Sequence, residues 1–324
     1  MGLKVLITGG AGFVGSKLAR ELLKRGQIAG GEIDELVLTD LRMPASNLSE
    51  DGRVRTTVGT LIQLCDELGK KKFDFAFHLA GAVSAECEAN FDLGLKSNLH
   101  TTQVLLETMR AAGNMPRLVF SSSQAVFGSD PAVPMPSTVR DDTLPTPQSS
   151  YGIQKFICEQ LVTDYTRKGF IDGRSARLTT VVVRPGRPNG AASGFLSSII
   201  REPLNGQPAI CPVAPDTRVA LGSTAGTIAG LIAVAEASRE ALGGRTAINF
   251  PAISTSVSEM LDALEAVGGK AARDLVRFEY DPVIARIVDS WPAAVESSRA
   301  ERLGLKPDEN FTSIVRAYVA NKSV

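Results

Sequence analysis

Residues 4–15, KVLITGGAGFVG, decide how the rest of the chain reads. Lys4 to Thr8 is a short apolar, β-branched run without polar alternation, the pattern of a strand covered on both faces in a parallel sheet. Gly9, Gly12 and Gly15 follow in the spacing G-x-x-G-x-x-G, and the stretch from Phe13 to Arg25 then predicts a helix. Without Cβ atoms, the backbone of such a turn can close on a pyrophosphate, with Phe13 and Val14 at the positive end of the helix. A glycine-rich turn with no ligand gives the same letters. The strand before it, the helix after it and an acid at the end of the next strand favour a dinucleotide.

That acid is Asp40, closing ELVLTD 25 residues after Gly15, where a carboxylate accepts both hydroxyls of an adenosine ribose and repels a 2′-phosphate. NAD is therefore expected over NADP. Arg42 works against that preference, and a plain polar strand end is the alternative for Asp40. Further strands are expected at Glu35–Thr39, Phe73–Leu79, Arg117–Ser121 and Thr179–Val183, with helical stretches between them. Strand and helix alternate, so the fold class is α/β, a Rossmann-type, doubly wound parallel sheet. The helical pattern from Leu93 to Ala111 carries Leu95, Leu99, Leu105 and Leu106, a face for the core or for a subunit interface. From Pro185 the texture changes: PGRPNG opens a loop, and Pro203, Pro208, Pro212 and Pro215 punctuate the next thirty residues or so. The expected division is a NAD-binding domain over 1–184 and a smaller C-terminal substrate-binding lobe over 185–324, with elements of the two interleaved. Later helices are predicted over 225–241, 257–267 and 312–321.

Composition narrows the partners. The 324 residues carry 35 Lys plus Arg against 35 Asp plus Glu, so the chain lacks the basic footprint of a nucleic-acid or membrane-surface protein. A small-molecule ligand is the expectation. Cys65, Cys87, Cys158 and Cys211 are far apart and form no C-x-x-C pair, which suits reduced thiols rather than a disulfide framework. With only His78 and His100, neither a His-rich metal site nor Ser-His-Asp catalysis is expected, and no metal is predicted. No apolar run is long enough to span a bilayer, and the N-terminus has no signal-type segment, so the cytoplasm is the expected compartment.

Tyr151 and Lys155 are four residues apart in YGIQK at the start of a helical pattern, which places phenol and ammonium on one face. A phenol titrates near about 10 in water; a neighbouring ammonium favours its ionised form and makes it a usable base near neutrality. Tyrosine and lysine at helical spacing also occur as a solvated edge. Ser121-Ser122-Ser123 tips the balance, because it ends a predicted core strand at the rim where open α/β sheets bind ligands. Self-bonding hydroxyls at a strand-end turn are the bland alternative for the serines.

Gly9, Gly12, Gly15, Asp40, HLAG at His78–Gly81, Asn98, the serine run and the Tyr151/Lys155 pair together resemble an extended short-chain dehydrogenase/reductase of the epimerase/dehydratase type, over nearly the whole chain. That resemblance implies a catalytic set of Ser123, Tyr151 and Lys155, a proton relay supported by Asn98, and a cofactor passing Leu79, Ala80 and Gly81, with Pro185 beside it. HLAGAVSAECEANFDLGLKSN and RPGRPNGAASGFLSSIIREPLNGQP are similar to the branch that oxidises D-erythronate, a four-carbon sugar acid, to its 2-keto form. The resemblance also implies a homodimer through the 93–111 and Tyr151 helices. Two positions depart from the pattern: Phe127 stands where tyrosine is frequent, and Thr60 replaces an acid usual near the adenine.

For the substrate, Arg184, Arg187, Asn189, Ser193 and Arg218 supply cationic and amide donors, and an arginine fork suits a carboxylate. A sugar acid fits such a pocket, and so does a nucleotide-sugar diphosphate. Arg184 has a structural alternative, tying the sheet to the second lobe. Ser84 is a candidate contact to substrate or nicotinamide, or else a loop cap. Besides NAD-dependent oxidation at a C2 hydroxyl, two readings stay open: a nucleotide-sugar epimerase or dehydratase using the same Ser/Tyr/Lys set, and a non-catalytic NAD(P)-sensing protein.

Overall fold

A computed structural model describes residues 2–186 and 193–322. In chain order its strands are β1 (Leu3–Thr8), β2 (Gln27–Ile28), β3 (Gly31–Asp40), β4 (Val54–Val58), β5 (Phe75–His78), β6 (Arg117–Ser123), β7 (Asp172–Leu178), β8 (Thr180–Val182), β9 (Ala209–Cys211), β10 (Arg218–Ser223), β11 (Ile248–Asn249), β12 (Ile253–Ser256) and β13 (Val276–Phe278). The main sheet runs β11-β7-β6-β5-β1-β3, with β4 parallel to β3 beyond it and the two-residue β2 antiparallel. The chain first builds outward from β1 to β4, then crosses to β5 and builds the other way. Strand order therefore reverses between β1 and β5, and a crevice opens above their carboxyl ends, where Gly9 and Leu79 emerge side by side.

The apolar runs without alternation are explained by cover on both faces. Val5 and Ile7 of β1 pack with Phe77, Val119, Leu18, Leu22 and Leu231 on one side. Leu6 between them faces Leu64, Leu105, Leu106, Phe120 and Val162 on the other. The first face is roofed by the helices Phe13–Arg25 and Thr224–Glu236, the second by Leu61–Gly69, Thr101–Ala112 and Ser150–Arg167. Helix Thr224–Glu236 and strand β11, both C-terminal to Pro185, thus belong to the main sheet.

Sequence pattern and structure part at β7. The strand expected at Thr179–Val183 exists as β8, but it leaves the main sheet and pairs with β10 in a three-stranded sheet β12-β10-β8. Its expected place beside β6 is taken by DGRSARL, seven residues with no apolar run. Arg174 and Arg177 survive inside this sheet because both are paired. Arg174 donates to Asp172 at 2.6 Å and to the carbonyls of Val234 and Ala235, and Arg177 donates to Glu159 at 2.9 and 2.7 Å. Apart from Asp172, these partners lie 18 to 61 residues away, where a pattern search cannot see them. Strand β4 (VRTTV), half-covered at the sheet edge, is likewise absent from the expectation.

The smaller body holds the β12-β10-β8 sheet, the β9/β13 pair and the helices Gly194–Arg201, Val257–Gly268 and Phe311–Lys322, around a core that includes Leu196, Ile199, Leu221, Met260, Leu264 and Val315. No helix among the described residues is long and apolar enough to cross a membrane.

Candidate active site

The glycine turn is shaped by what surrounds it. Gly9 has φ +72°, and a Cβ there would lie 2.8 Å from the Ala80 nitrogen, so the β1 and β5 ends touch backbone to backbone. A Cβ on Gly15 would lie 2.1 Å from the Gly9 carbonyl oxygen, which fixes how closely the first helix approaches the turn. Gly12 instead meets only the Gly9 carbonyl within 4 Å. It caps the helix at Phe13 with no side-chain acceptor and no acid in the first turn, so the N–H groups of Phe13 and Val14 have no side-chain cap.

Asp40 reaches back from the end of β3: one carboxylate oxygen accepts the Ala11 amide at 3.0 Å, the other the Arg42 amide at 3.4 Å. Thr60 is occupied as the N-cap of helix Leu61–Gly69, its hydroxyl exchanging hydrogen bonds with Gln63. Around it the apolar side chains of Leu41, Val58 and Ile62 are exposed, and Val58 lies directly across from Asp40.

The three serines diverge. Ser121 donates to the His78 carbonyl at 2.9 Å and Ser122 to Glu159 at 2.5 Å, both buried. Ser123 only accepts, from the Ala125 amide at 3.1 Å, so its O–H has no acceptor among the described residues. The turn Gln124–Val126 then meets the start of helix Ser150–Arg167 so closely that a Cβ on Gly152 would lie 2.1 Å from the Ala125 carbonyl. This contact brings the Tyr151 end of the helix to the end of β6. The Tyr151 phenol has no hydrogen-bond partner among the described residues, while the Lys155 Nζ stands 5.6 Å from the centre of its ring. Lys155 is 4% exposed, donates to the Ser121 carbonyl at 2.8 Å and lies 4.9 Å from the Phe120 ring centre. A buried ammonium with no carboxylate beside it is costly, and such costs mark functional positions.

Asn98 falls where the helix Phe91–Ala112 widens into a π-turn over Leu95–His100, a local irregularity frequent at functional sites. It is 3% exposed and fully engaged: Oδ1 accepts the Ala82 amide at 2.9 Å, Nδ2 donates to Gln154 at 2.8 Å and towards the Cys87 sulfur at 3.3 Å. Its carbonyl accepts the Thr102 hydroxyl at 2.6 Å. Because Thr102 donates there, its oxygen accepts from His78 Nε2 at 2.9 Å, and His78 Nδ1 accepts the Thr8 hydroxyl at 2.7 Å. Burial and the nearby Lys155 charge hold the His78 imidazole down at about 3, so it is a neutral core histidine. Gly81 is wedged beside this group, with room for no Cβ against Asn98 Oδ1.

On the opposite wall Arg184 is held by its own lobe: Nε donates to the Val181 carbonyl at 3.0 Å, Nη2 to Ser193 at 3.1 Å, and its carbonyl accepts from Arg201 at 2.7 Å. Burial lowers its pKa, and the Tyr151 phenol, close enough to act electrostatically, opposes that shift. No carboxylate pairs with it among the described residues. Ser84 opens a short helix, Ser84–Ala89, and its hydroxyl bonds to nothing among those residues. Pro185 is exposed at the end of the segment after β8. Arg187 and Asn189 lie outside the described residues. Arg218, expected beside Arg184, is not brought there. The register sets Ser223 across from Val182 and leaves Arg218 at the other end of β10, about 16 Å along the strand. There it pairs with Glu259 at 3.4 Å and is half exposed.

The profile of the NAD dependent epimerase/dehydratase family matches residues 5–221. The chain belongs to this family. It is 45% identical to a D-erythronate dehydrogenase of Cupriavidus necator over 321 residues, 98% of both chains, and 41% identical to one of Haemophilus influenzae over 98% of this chain and 99% of that one. A crystal structure of a nucleoside-diphosphate-sugar epimerase from Agrobacterium tumefaciens, 38% identical, superposes with a TM-score of 0.93 over 99% of this chain and 95% of that one.

The cofactor that gives the family its name suits what this chain offers: the side-chain-free face at Gly12 with an uncapped helix start for a pyrophosphate, and a strand-end carboxylate for a ribose. Leu41, Val58 and Ile62, exposed apolar groups flanking Thr60, were not anticipated from sequence. The signal available was an apolar residue just after the end of β3, at the end of β4 and in the first turn of the helix that follows.

Proposed function

We propose that this member of the family oxidises a four-carbon sugar acid of the D-erythronate type at its C2 hydroxyl to the 2-keto acid. The observation that supports it most is Arg184: a half-buried guanidinium with no carboxylate partner among the described residues, held within electrostatic range of the Tyr151 phenol. A carboxylate one carbon from a reacting hydroxyl suits that spacing, and the Cupriavidus necator and Haemophilus influenzae relatives act on such an acid by name.

In this reading Ser123, whose O–H has no acceptor among the described residues, donates to the C2 oxygen and orients it. The Tyr151 phenolate takes the hydroxyl proton as the C2–O bond becomes a carbonyl, with the Lys155 ammonium on one side stabilising the phenolate. Bound NAD supplies the acceptor for the hydride that leaves C2. Arg184 and Ser193 hold the carboxylate, which fixes the distance between C2 and the phenol. Arg218, already paired with Glu259, is left out of this pocket.

A panel of four- and five-carbon sugar acids, followed by NADH absorbance, tests the proposal: steady NADH formation from D-erythronate is expected. The name of the Agrobacterium tumefaciens relative favours a second reading, nucleotide-sugar epimerisation. Conversion of a UDP-sugar with no net NADH, and no turnover of any sugar acid, would establish that reading instead.

The proposed assembly is a homodimer through the helices bearing Asn98 and Tyr151, whose outer faces expose Phe91, Leu93, Ile153 and Ile157. The proposed compartment is the cytoplasm, in keeping with four free thiols.

A further inference from the structure

We infer that Gln154 is a positioning residue for this reaction, turning the Asn98 amide so that its oxygen pins the Ala80–Ala82 loop over Lys155. The inference rests on the proposed sugar-acid oxidation only for its kinetic consequences.

Gln154 immediately precedes Lys155 and is 2% exposed. Its Oε1 accepts from Asn98 Nδ2 at 2.8 Å, whereas its Nε2 is buried with no partner among the described residues. An unpaired buried amide donor costs about 1–3 kcal/mol, so packing alone gives no reason for an amide here rather than an apolar side chain. What the amide does is select one of two orientations of Asn98. With Oδ1 turned to the Ala82 N–H and Nδ2 turned to Gln154, every contact joins a donor to an acceptor. Turned over, Asn98 would set its NH2 against the Ala82 N–H and its oxygen against the Gln154 oxygen. Without Gln154, the Ala82 N–H would still favour the first arrangement, but the Asn98 NH2 would keep only the Cys87 sulfur at 3.3 Å, a weak acceptor, among the described residues.

The orientation matters because the parts are in contact. A Cβ on Gly81 would lie 2.7 Å from Asn98 Oδ1 and 3.7 Å from Lys155 Nζ, so loop, amide oxygen and ammonium are stacked without slack. Gly94, in the turn preceding the π-turn, closes the other side: a Cβ there would lie 2.6 Å from Gln154 Nε2. The Gln154 amide is thus clamped between Gly94 and Asn98. A shift at Asn98 reaches the loop that flanks Lys155, and Lys155 is the charge beside the Tyr151 ring.

The test is a double-mutant cycle with Gln154→Met, which keeps the volume and removes the acceptor, and Asn98→Ala. Gln154→Glu, which keeps an acceptor, is the rescue. Amide hydrogen exchange over 79–83 in the cofactor-free protein reads the pin directly, and kcat and KM for D-erythronate read its consequence. Gln154→Met is expected to speed Ala82 exchange about tenfold and to lower kcat by a similar factor, as for the loss of one hydrogen bond. Gln154→Glu should return most of the Ala82 protection, and the double variant should be no worse than Asn98→Ala alone. Gln154→Ser carries the same expectations should the Met variant fail to fold. Wild-type Ala82 exchange and kcat in a variant that only melts earlier, or full additivity with Asn98→Ala, would overturn the inference. Absence of any sugar-acid turnover in the wild type, with the exchange pattern as expected, would remove the proposed activity and leave this inference standing.

Discussion

Three hydroxyls in a row at the end of β6 have the same chemistry and different duties. Ser121 and Ser122 spend their protons on the His78 carbonyl and Glu159, and only Ser123 keeps its proton for a ligand. The same sorting separates the tyrosines: Tyr165 donates to Glu107, whereas Tyr151 has no partner among the described residues. Tyr151→Phe is therefore expected to lower kcat by about 10²–10⁴-fold, the range for removing a general base, with NADH affinity measured by fluorescence titration unchanged. Retained turnover would remove the phenol from the mechanism. At Arg184, replacement by Met should raise KM for the sugar acid by about 10²-fold with a smaller change in kcat, as for loss of a charge-assisted pair. An unchanged KM would assign Arg184 to holding its lobe together. His78 gives a pH expectation. Its folded value of about 3 lies below the ordinary 6.5, so between those limits the unfolded chain binds the extra proton. Stability is full above 6.5 and falls by about 1.4 kcal/mol per unit as the pH drops towards 3. Urea midpoints across that window should slope less in His78→Gln than in the wild type.

Among the elements, β7 and helix Ser150–Arg167 show how a polar strand is kept inside a sheet. Glu159 lies one helical turn beyond Lys155, 1% exposed, and joins Ser122 of β6 to Arg177 of β7. Arg177 also faces the Phe127 ring at 4.8 Å and the Asn249 side chain of β11. Removing one partner of a buried pair leaves the other charge stranded, so Glu159→Ala should cost about 3–5 kcal/mol, read as a large fall in the denaturant midpoint. A change under about 1 kcal/mol would mean that water replaces the carboxylate. The same elements mark the limit of what could be read from letters. The glycine turn, β1, β3 and β5 and their helices announce themselves through local apolar runs and glycine spacing. DGRSARL is a core strand only because Glu159, Val234 and Ala235 are waiting for its arginines, and the Asn98 amide in the π-turn meets Gln154, a partner 56 residues further along the chain. Arg218 shared its residue type with Arg184 but not its place, because strand register, invisible in composition, sends the two to opposite ends of the smaller sheet.

For the molecule as a whole, the exposed apolar groups on the Asn98 and Tyr151 helices predict self-association. Ile157→Glu is expected to yield monomers by light scattering coupled to size exclusion. A wild-type protein that is itself monomeric at micromolar concentration would dispose of the dimer. Residues that touch the cofactor side and residues proposed for the acid side come from opposite halves of the chain, yet they meet without a hinge of independent parts. Strand β8 follows β7 after one residue, helix Thr224–Glu236 covers Val5 and Ile7, and β11 closes the edge of β7. A fragment ending at residue 184 would expose the part of one sheet face that helix Thr224–Glu236 covers and a bare outer edge at β7, a surface prone to aggregate rather than to bind nucleotide. Recombination could thus not exchange the acid-recognising half for another as a detachable cassette; new specificity in this architecture has to be acquired by point changes and loop insertions within an unbroken gene.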